Sequence, residues 1–163
     1  LQMSWTICLF GVELAYATQN VHTYSFDKDT RNISRRYRDF VTILIMSLIT
    51  KRFSNNEPPY TAEELSETHL IPINLTNKVL FQLQEIELIH EVMTDEKSDD
   101  ITYQPSMDTN QLTLAVVLER LDCYGSENFK VDRDEEFLDE WKTVVKIKEE
   151  YYKKASTVLL KDL

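Results

Sequence analysis

The sequence predicts a mainly α-helical fold with one small β-hairpin, on three observations. The first is that the 163 residues include only two glycines and four prolines. Few Gly and Pro with abundant Leu, Glu and Lys favour helices, and the scarcity of Gly argues against phosphate-cradling loops and Rossmann turns. The second is that apolar residues recur at helical spacing through most of the chain. The third is that residues 88–104 form two strand-like runs around a charged turn.

The apolar composition of residues 1–20 predicts a helix that is the end of a membrane span. The stretch 1–17 has one formal charge, Glu13, and would be about 25 Å long as a helix, against about 30 Å for the hydrocarbon core of a bilayer. The chain would then be the tail of a longer membrane protein. A carboxylate inside such a helix is often functional, although Glu13 is equally consistent with the headgroup region or a protein surface. The alternative for the whole segment is an amphipathic helix packed on a soluble domain.

A basic connector, residues 21–33, follows the apolar helix. Residues 21–60 contain seven Lys and Arg against four Asp and Glu. Positive charge next to a span is typical of its cytoplasmic side, where it meets anionic lipid headgroups. The residues predicted to make that contact are Lys28, Arg31, Arg35, Arg36 and Arg38. A solvated start of the next helix is the alternative interpretation of this cluster.

The order of the elements in residues 34–125 predicts a winged-helix domain. A core helix is expected over 34–53, and a short helix over 61–68 starts with the capping-box pattern Thr61-Ala-Glu-Glu64. A third helix over 72–87 opens at Pro72, the hairpin 88–104 forms the wing, and a further helix starts at Asp108 or Thr109 and is capped by Gly125. Helices 61–68 and 72–87 are the predicted helix-turn-helix.

Residues 126–163 predict a long amphipathic helix over about 134–154, followed by a tail that is frayed or weakly docked. Such a helix often packs against a symmetry mate, so the sequence favours a homo-oligomer or another protein contact; packing within the domain core is an equally simple explanation. The residues of this predicted interaction helix are Phe137, Trp141, Val145, Tyr151 and Tyr152.

The charge distribution argues against nucleic acid as a partner. Residues 61–108 contain two Lys and eleven Asp and Glu, whereas phosphate neutralisation supplies most non-specific affinity for DNA. If the domain nevertheless binds DNA, the second helix of the helix-turn-helix would supply the contacts. Those candidate contacts are Asn74, Asn77 and Lys78.

The sequence contains no motif that indicates catalysis, metal binding or a cofactor. The three histidines are scattered, and no metal-ligand or nucleophile motif occurs. Cys8 and Cys123 are far apart, which suggests a reducing compartment and no metal site. Four carboxylates in the wing tip, residues 95–100, could bind a divalent cation, but a solvated turn explains them better.

The N-terminal segment also carries a family resemblance. Trp5–Ala15 resembles the last membrane helix of the YihY/BrkB family of bacterial inner-membrane proteins, with Gly11-Val12-Glu13-Leu14 standing at the family's small residue-Ala-Glu-Leu pattern. Val12 departs from the usual Ala. The resemblance implies a bacterial inner-membrane protein whose residues from about 21 onward form a cytoplasmic winged-helix extension. The family's old label, ribonuclease BN, implies tRNA processing, for which this chain shows no suitable residues.

The sequence therefore predicts the cytoplasmic C-terminal part of an inner-membrane protein, in which a non-catalytic winged helix contacts the membrane bundle or a second copy. One alternative is a winged-helix transcriptional regulator that binds DNA. The other alternative is the ribonuclease that the family label suggests.

Overall fold

The structure is a computed structural model that describes residues 2–12, 32–95, 98–127 and 135–163. It confirms the predicted fold class, a mainly helical winged helix with a small antiparallel sheet. In chain order the elements are α1 (Arg35–Ser54), β1 (Tyr60–Thr61), α2 (Ala62–His69), α3 (Ile73–Glu85), β2 (Ile89–Asp95), β3 (Ser98–Pro105), α4 (Leu114–Asp122), α5 (Leu138–Ala155) and a 3₁₀ turn (Leu160–Asp162).

The core is built around α1. Ser34 caps this helix by accepting a hydrogen bond from the backbone N–H of Tyr37, at 3.2 Å. Ile45 and Met46 are completely buried, and they join one apolar cluster with residues of α2, α3, the start of β2 and the C-terminal 3₁₀ turn. Because burial of apolar surface dominates folding, α1 is the element on which the other parts of the domain assemble.

The sheet has three antiparallel strands in the order β1-β3-β2. The hairpin of β2 and β3 is the predicted wing, and its register pairs Ile89 with Pro105 and Val92 with Thr102. The two-residue strand β1, which pairs Tyr60 with Tyr103, was not predicted. It forms at the loop that leads into α2, so the start of the helix-turn-helix is attached to the wing by strand pairing.

The start and end of α4 differ from the prediction. The side chain of Asp108 accepts from the backbone N–H of Asn110 at 2.8 Å, and such local bonds compete with helix formation. The helix starts only after Thr113, which caps it. It ends at Asp122 with Cys123 as its cap, two residues before the expected cap Gly125, although Gly125 does adopt a positive φ of 120°.

The C-terminal tail is firmly packed, contrary to the expectation that it frays or docks weakly. Leu160 is completely buried in the α1 cluster. Its backbone N–H donates to Leu112 O at 3.1 Å, and its carbonyl accepts from the Ser47 hydroxyl at 3.0 Å. The buried face of α1 and Leu160 therefore belong to one core, although they lie more than 100 positions apart in sequence.

The predicted membrane span is not supported. Residues 2–12 are helical and exposed. Among the described residues, no helix combines the length and the apolarity that crossing a membrane requires. The inner-membrane location and the contact of the basic cluster with lipid were inferred from that span, and they lose their basis with it. Of the predicted membrane-helix motif, Gly11 lies in this exposed helix, whereas Glu13 and Leu14 lie outside the described residues.

Candidate nucleic-acid interface

The first helix of the helix-turn-helix, α2, begins with the capping box that the sequence predicts. The backbone N–H of Glu64 donates to Thr61 Oγ1 at 3.1 Å, and the backbone N–H of Thr61 donates to Glu64 Oε2 at 3.3 Å. The same carboxylate accepts from Arg52 Nη1 at 3.2 Å. Since Arg52 lies near the end of α1, this one carboxylate both caps α2 and ties it to the core helix.

The turn between α2 and α3 is fixed by backbone conformation and two hydrogen bonds. Leu70 has a φ of 54°, a left-handed conformation that is unfavourable for residues with a Cβ. The backbone N–H of Ile71 donates to Ser66 O at 3.0 Å, and the Ser66 hydroxyl donates to Ile71 O at 2.7 Å. Pro72 then precedes the first turn of α3, where its missing N–H is harmless.

The helix α3 presents a buried face and a solvent face. Its buried residues are Leu75, Thr76, Val79, Leu80 and Leu83. Of the three predicted DNA contacts, Asn77 and Lys78 are exposed, and Asn74 is half-buried in the first turn. Phe81, which sequence reasoning did not single out, shares this outer surface with a 60% exposed side chain. All three predicted residues therefore lie in the N-terminal half of α3; in helix-turn-helix proteins that bind DNA, that half of the second helix reads base edges.

The wing is held beside α3 by a side-chain contact. Gln84 Nε2, near the end of α3, donates to Glu91 Oε1 on β2 at 2.9 Å. Farther along the hairpin, Met93 and Ile101 are cross-strand partners and both are exposed. The pKa of Tyr103 on β3 is raised by burial and by the negative charges of Glu91 and Glu63. The surface next to the recognition helix is thus partly apolar and partly acidic.

Several arginines of the domain are engaged in contacts within the protein. The Arg52 guanidinium stacks 3.7 Å from the ring centre of Tyr60, in addition to its contact with Glu64. Arg120 Nη1 donates to two backbone carbonyls, Ile86 O at 2.7 Å and Glu87 O at 3.0 Å. The bonds from Arg120 stabilise the segment that joins α3 to the wing. On α3 itself, the cationic residue is Lys78.

Of the predicted basic cluster, Arg35 contacts Asp122 and Asp39, and Arg36 and Arg38 are exposed on the first turns of α1. Lys28 and Arg31 lie outside the described residues. Of the predicted interaction residues, Phe137 immediately before α5 and Trp141 and Tyr151 within it are exposed, whereas Val145 and Tyr152 are half-buried.

A polar junction at the end of α4 was missed by sequence reasoning. Asp122 Oδ2 accepts from Lys148 Nζ and from the Tyr152 hydroxyl, both at 2.6 Å, and its Oδ1 accepts from Arg35. These three partners come from two other helices, α1 and α5, and are 26 to 87 positions from Asp122 in sequence. No local pattern marks such a contact.

The fold is that of a winged helix, and comparison with solved structures agrees. The structure of IscR from T. potens superposes with a TM-score of 0.55 at 11% identity, covering 82% of this chain and 87% of that chain. CymR (YrzC), described as the global cysteine regulator of B. subtilis, gives a TM-score of 0.53 at 14% identity, covering 80% and 94% respectively. At these identities the likeness shows the fold alone. No protein-family model and no curated protein matches the chain.

These comparisons correct two expectations. The resemblance to the YihY/BrkB family is not supported, because the folds that match are those of regulators and no family model matches the chain. The expectation that nucleic acid is an unlikely partner, and a membrane bundle a likely one, is also wrong on this comparison.

Proposed function

We propose that the chain is a winged-helix regulatory domain that binds duplex DNA, with α3 in the major groove and the wing formed by β2 and β3 beside it. The observation that carries the proposal is the exposure of Asn77 and Lys78 on the outer face of α3, within a capped and closed helix-turn-helix. Asn pairs with adenine and Lys with guanine in the major groove. The likeness to regulator structures supports the same assignment.

The charges of this surface imply weak non-specific binding. The cation of α3 is Lys78, and the acidic Glu85 lies two turns farther along the same helix. Since phosphate contacts supply most sequence-independent affinity, such a surface would depend on base contacts and on a well-matched site.

The test is a binding measurement on a selected duplex. A random duplex pool is enriched on the immobilised protein at low salt, and the best duplex is then used in fluorescence anisotropy. We expect Lys78→Ala to weaken binding to that duplex by roughly 5- to 100-fold, the range of one good base contact. The control is Lys142→Ala, which removes an exposed lysine from α5.

Two results would reject the proposal. One is a pool that never enriches above the background of uncoated resin. The other is an equal loss of affinity in both lysine variants, which would indicate a general charge effect rather than recognition through α3.

A second part of the proposed function concerns α5, whose exposed half we infer to be a protein-contact surface for a second copy. Phe137, Trp141 and Val144 continue, at spacings of four, three and four residues, the face on which Lys148 and Tyr152 meet Asp122. This spacing is that of a helix-pairing seam. These three residues are all exposed, so the apolar seam runs beyond the part of α5 that is covered by α4.

Sedimentation equilibrium tests this surface. We expect Val144→Asp to shift the protein toward the monomer, because it puts a charge in the seam. Lys153→Gln makes the same change in net charge at an exposed position on another side of α5, and should leave the association unchanged. A wild-type protein that is monomeric at all concentrations tested would exclude a second copy as the partner.

A further inference from the structure

The helix α5 is covered by the domain along only part of its length. Ala155, at its C-terminal end, is its one fully buried residue, and it packs in a small cluster with Ala115 and Leu118 of α4. In the N-terminal half of α5 most side chains are exposed, and Leu138 and Val145 are half-buried. The helix is therefore covered by the body mainly at its C-terminal end.

The junction at Asp122 lies where α5 leaves the body. Lys148 and Tyr152, four residues apart on one face of α5, both contact the Asp122 carboxylate at 2.6 Å. The other oxygen of the carboxylate accepts from Arg35, the first residue of α1. One side chain thus links the end of α4, the start of α1 and the middle of α5.

Apolar contacts hold this end of α5 on the body but do not by themselves fix a direction. The cluster consists of Ala155, Ala115 and Leu118, with Ile43, Leu114 and Tyr152 packed against it, and hydrophobic attraction is non-directional. Hydrogen bonds to a charged group are stronger than neutral ones and depend on geometry. The two donors from α5, Lys148 and Tyr152, therefore constrain the axis of that helix in a way that the apolar contacts do not.

The charges around the junction keep the carboxylate ionised. Burial alone would raise the pKa of Asp122, but hydrogen bonds from Lys148 and Tyr152 and the positive charges of Lys148 and Arg35 outweigh burial and lower it. Burial, the bond to Asp122 and the nearby Cys123 and Glu119 raise the pKa of Tyr152. The tyrosine hydroxyl therefore stays protonated and able to donate.

We propose that Asp122 is a positioning residue that fixes the angle at which the exposed half of α5 leaves the winged-helix body. If a second copy binds that half, the same angle sets the distance between the two recognition helices and hence the half-site spacing on DNA. This last step rests on the proposed function. The angle itself does not depend on it.

The angle can be measured as a distance within one molecule. Spin labels are attached to cysteines introduced by Glu67→Cys in α2 and Lys142→Cys in the projecting half of α5, both exposed positions, after Cys8 and Cys123 are replaced by serine. Labelled protein is diluted with unlabelled protein so that only intramolecular distances contribute. Pulsed electron paramagnetic resonance then gives the distance distribution.

We expect Asp122→Asn to broaden or shift this distribution, because the amide keeps the shape of the side chain but loses its charge. Tyr152→Phe, which removes one donor, should have a smaller effect in the same direction. Glu150→Gln, at an exposed position of α5, should reproduce the unmodified distribution.

The proposal is overturned if Asp122→Asn gives the unmodified distribution, even where it lowers the melting temperature, because Asp122 would then contribute stability without setting an angle. If that variant does not fold by circular dichroism, Tyr152→Phe and Lys148→Met decide, and unmodified distributions in both overturn the proposal. Failure of DNA binding or of self-association would leave this distance measurement unaffected.

Discussion

At the scale of single residues, Leu70 is held in an unfavourable conformation without a packing reason for its side chain. Its φ is 54° and its side chain is 89% exposed. Glycine is the usual residue at this position after a helix. Leu70→Gly should therefore stabilise the domain by about 0.5–1 kcal/mol, because the relief of about 1–2 kcal/mol of backbone strain exceeds the entropy that glycine adds to the unfolded chain.

Chemical denaturation measures this change in the free energy of unfolding. The control is Glu67→Gly, which places glycine at an ordinary helical position of α2 and should destabilise by about 1 kcal/mol. Equal destabilisation by both substitutions would show that the conformation of Leu70 carries no strain.

The contribution of the N-cap of α2 can be measured by replacing Thr61. Thr61→Ala removes the acceptor for the Glu64 backbone N–H and should lower the free energy of unfolding by about 0.5–2 kcal/mol. Thr68→Ala, an exposed position in the same helix, should change it by less than about 0.5 kcal/mol. A loss of equal size at both positions would mean that the capping box does not stabilise α2.

The lowered pKa of Asp122 predicts that the free energy of unfolding depends on pH. Its pKa is lowered in the folded protein from an ordinary value of 3.8, so its contribution is complete above that value and is lost as the pH falls through the lowered one. Asp122→Asn should therefore cost about 1–3 kcal/mol at neutral pH, and the difference from the unmodified protein should shrink below about pH 4.

Urea unfolding at a series of pH values measures this difference. Asp162→Asn, at an exposed carboxylate near the C-terminus, serves as the control and should run parallel to the unmodified protein. A constant difference between Asp122→Asn and the unmodified protein down to pH 2 would contradict the assignment of the shift to Asp122.

At the scale of elements, the C-terminal 3₁₀ turn belongs to the core despite its three residues. Leu160 is completely buried against α1, so Leu160→Ala should destabilise by about 2–5 kcal/mol, as large-to-small changes in cores do. Leu163→Ala, at a half-exposed position three residues later, should have little effect. Thermal unfolding of the two variants compares them, and a similar small loss in both would restore the view of a weakly docked tail.

The elements that the sequence predicts well are those with local signals. The capping box at Thr61 and Glu64, the helical spacing of α1 and the two strands around a charged turn all lie within a few residues of one another. The contacts that it misses join distant residues, such as Ser47 with Leu160 across 113 positions and Asp122 with Arg35 across 87. Periodicity carries no information about such pairs.

The same distinction between local and distant information applies to the candidate interface. The helical period is enough to place Asn77 and Lys78 on the outer face of α3, as the structure does. A count of charge over residues 61–108 predicted that nucleic acid is an unlikely partner, but such a count gives equal weight to residues wherever they lie in the fold. The membrane interpretation rested on the apolar composition of residues 1–17, and among the residues that the structure describes no helix is long and apolar enough to cross a membrane.

At the scale of the whole molecule, the net charge of −10 predicts a shallow salt dependence of DNA binding. Arg52 and Arg120 contact groups within the protein, so few phosphates would be neutralised. We expect the slope of log K against log salt to be no steeper than about −3, which corresponds to about three phosphate contacts. Anisotropy titrations at several salt concentrations measure it, and a slope near −6 would mean that other cations of the chain reach the DNA.

The packing of Leu160 beneath α1 has a consequence for how the protein is made. The apolar cluster around α1 is incomplete until Leu160 has been translated and has left the ribosome, although the helix-turn-helix and the wing emerge much earlier. During synthesis, Ile45 and Met46 would therefore remain incompletely covered for most of the elongation time, and nascent chains arrested before residue 160 should be bound by chaperones or cleaved by proteases more readily than those arrested well after it.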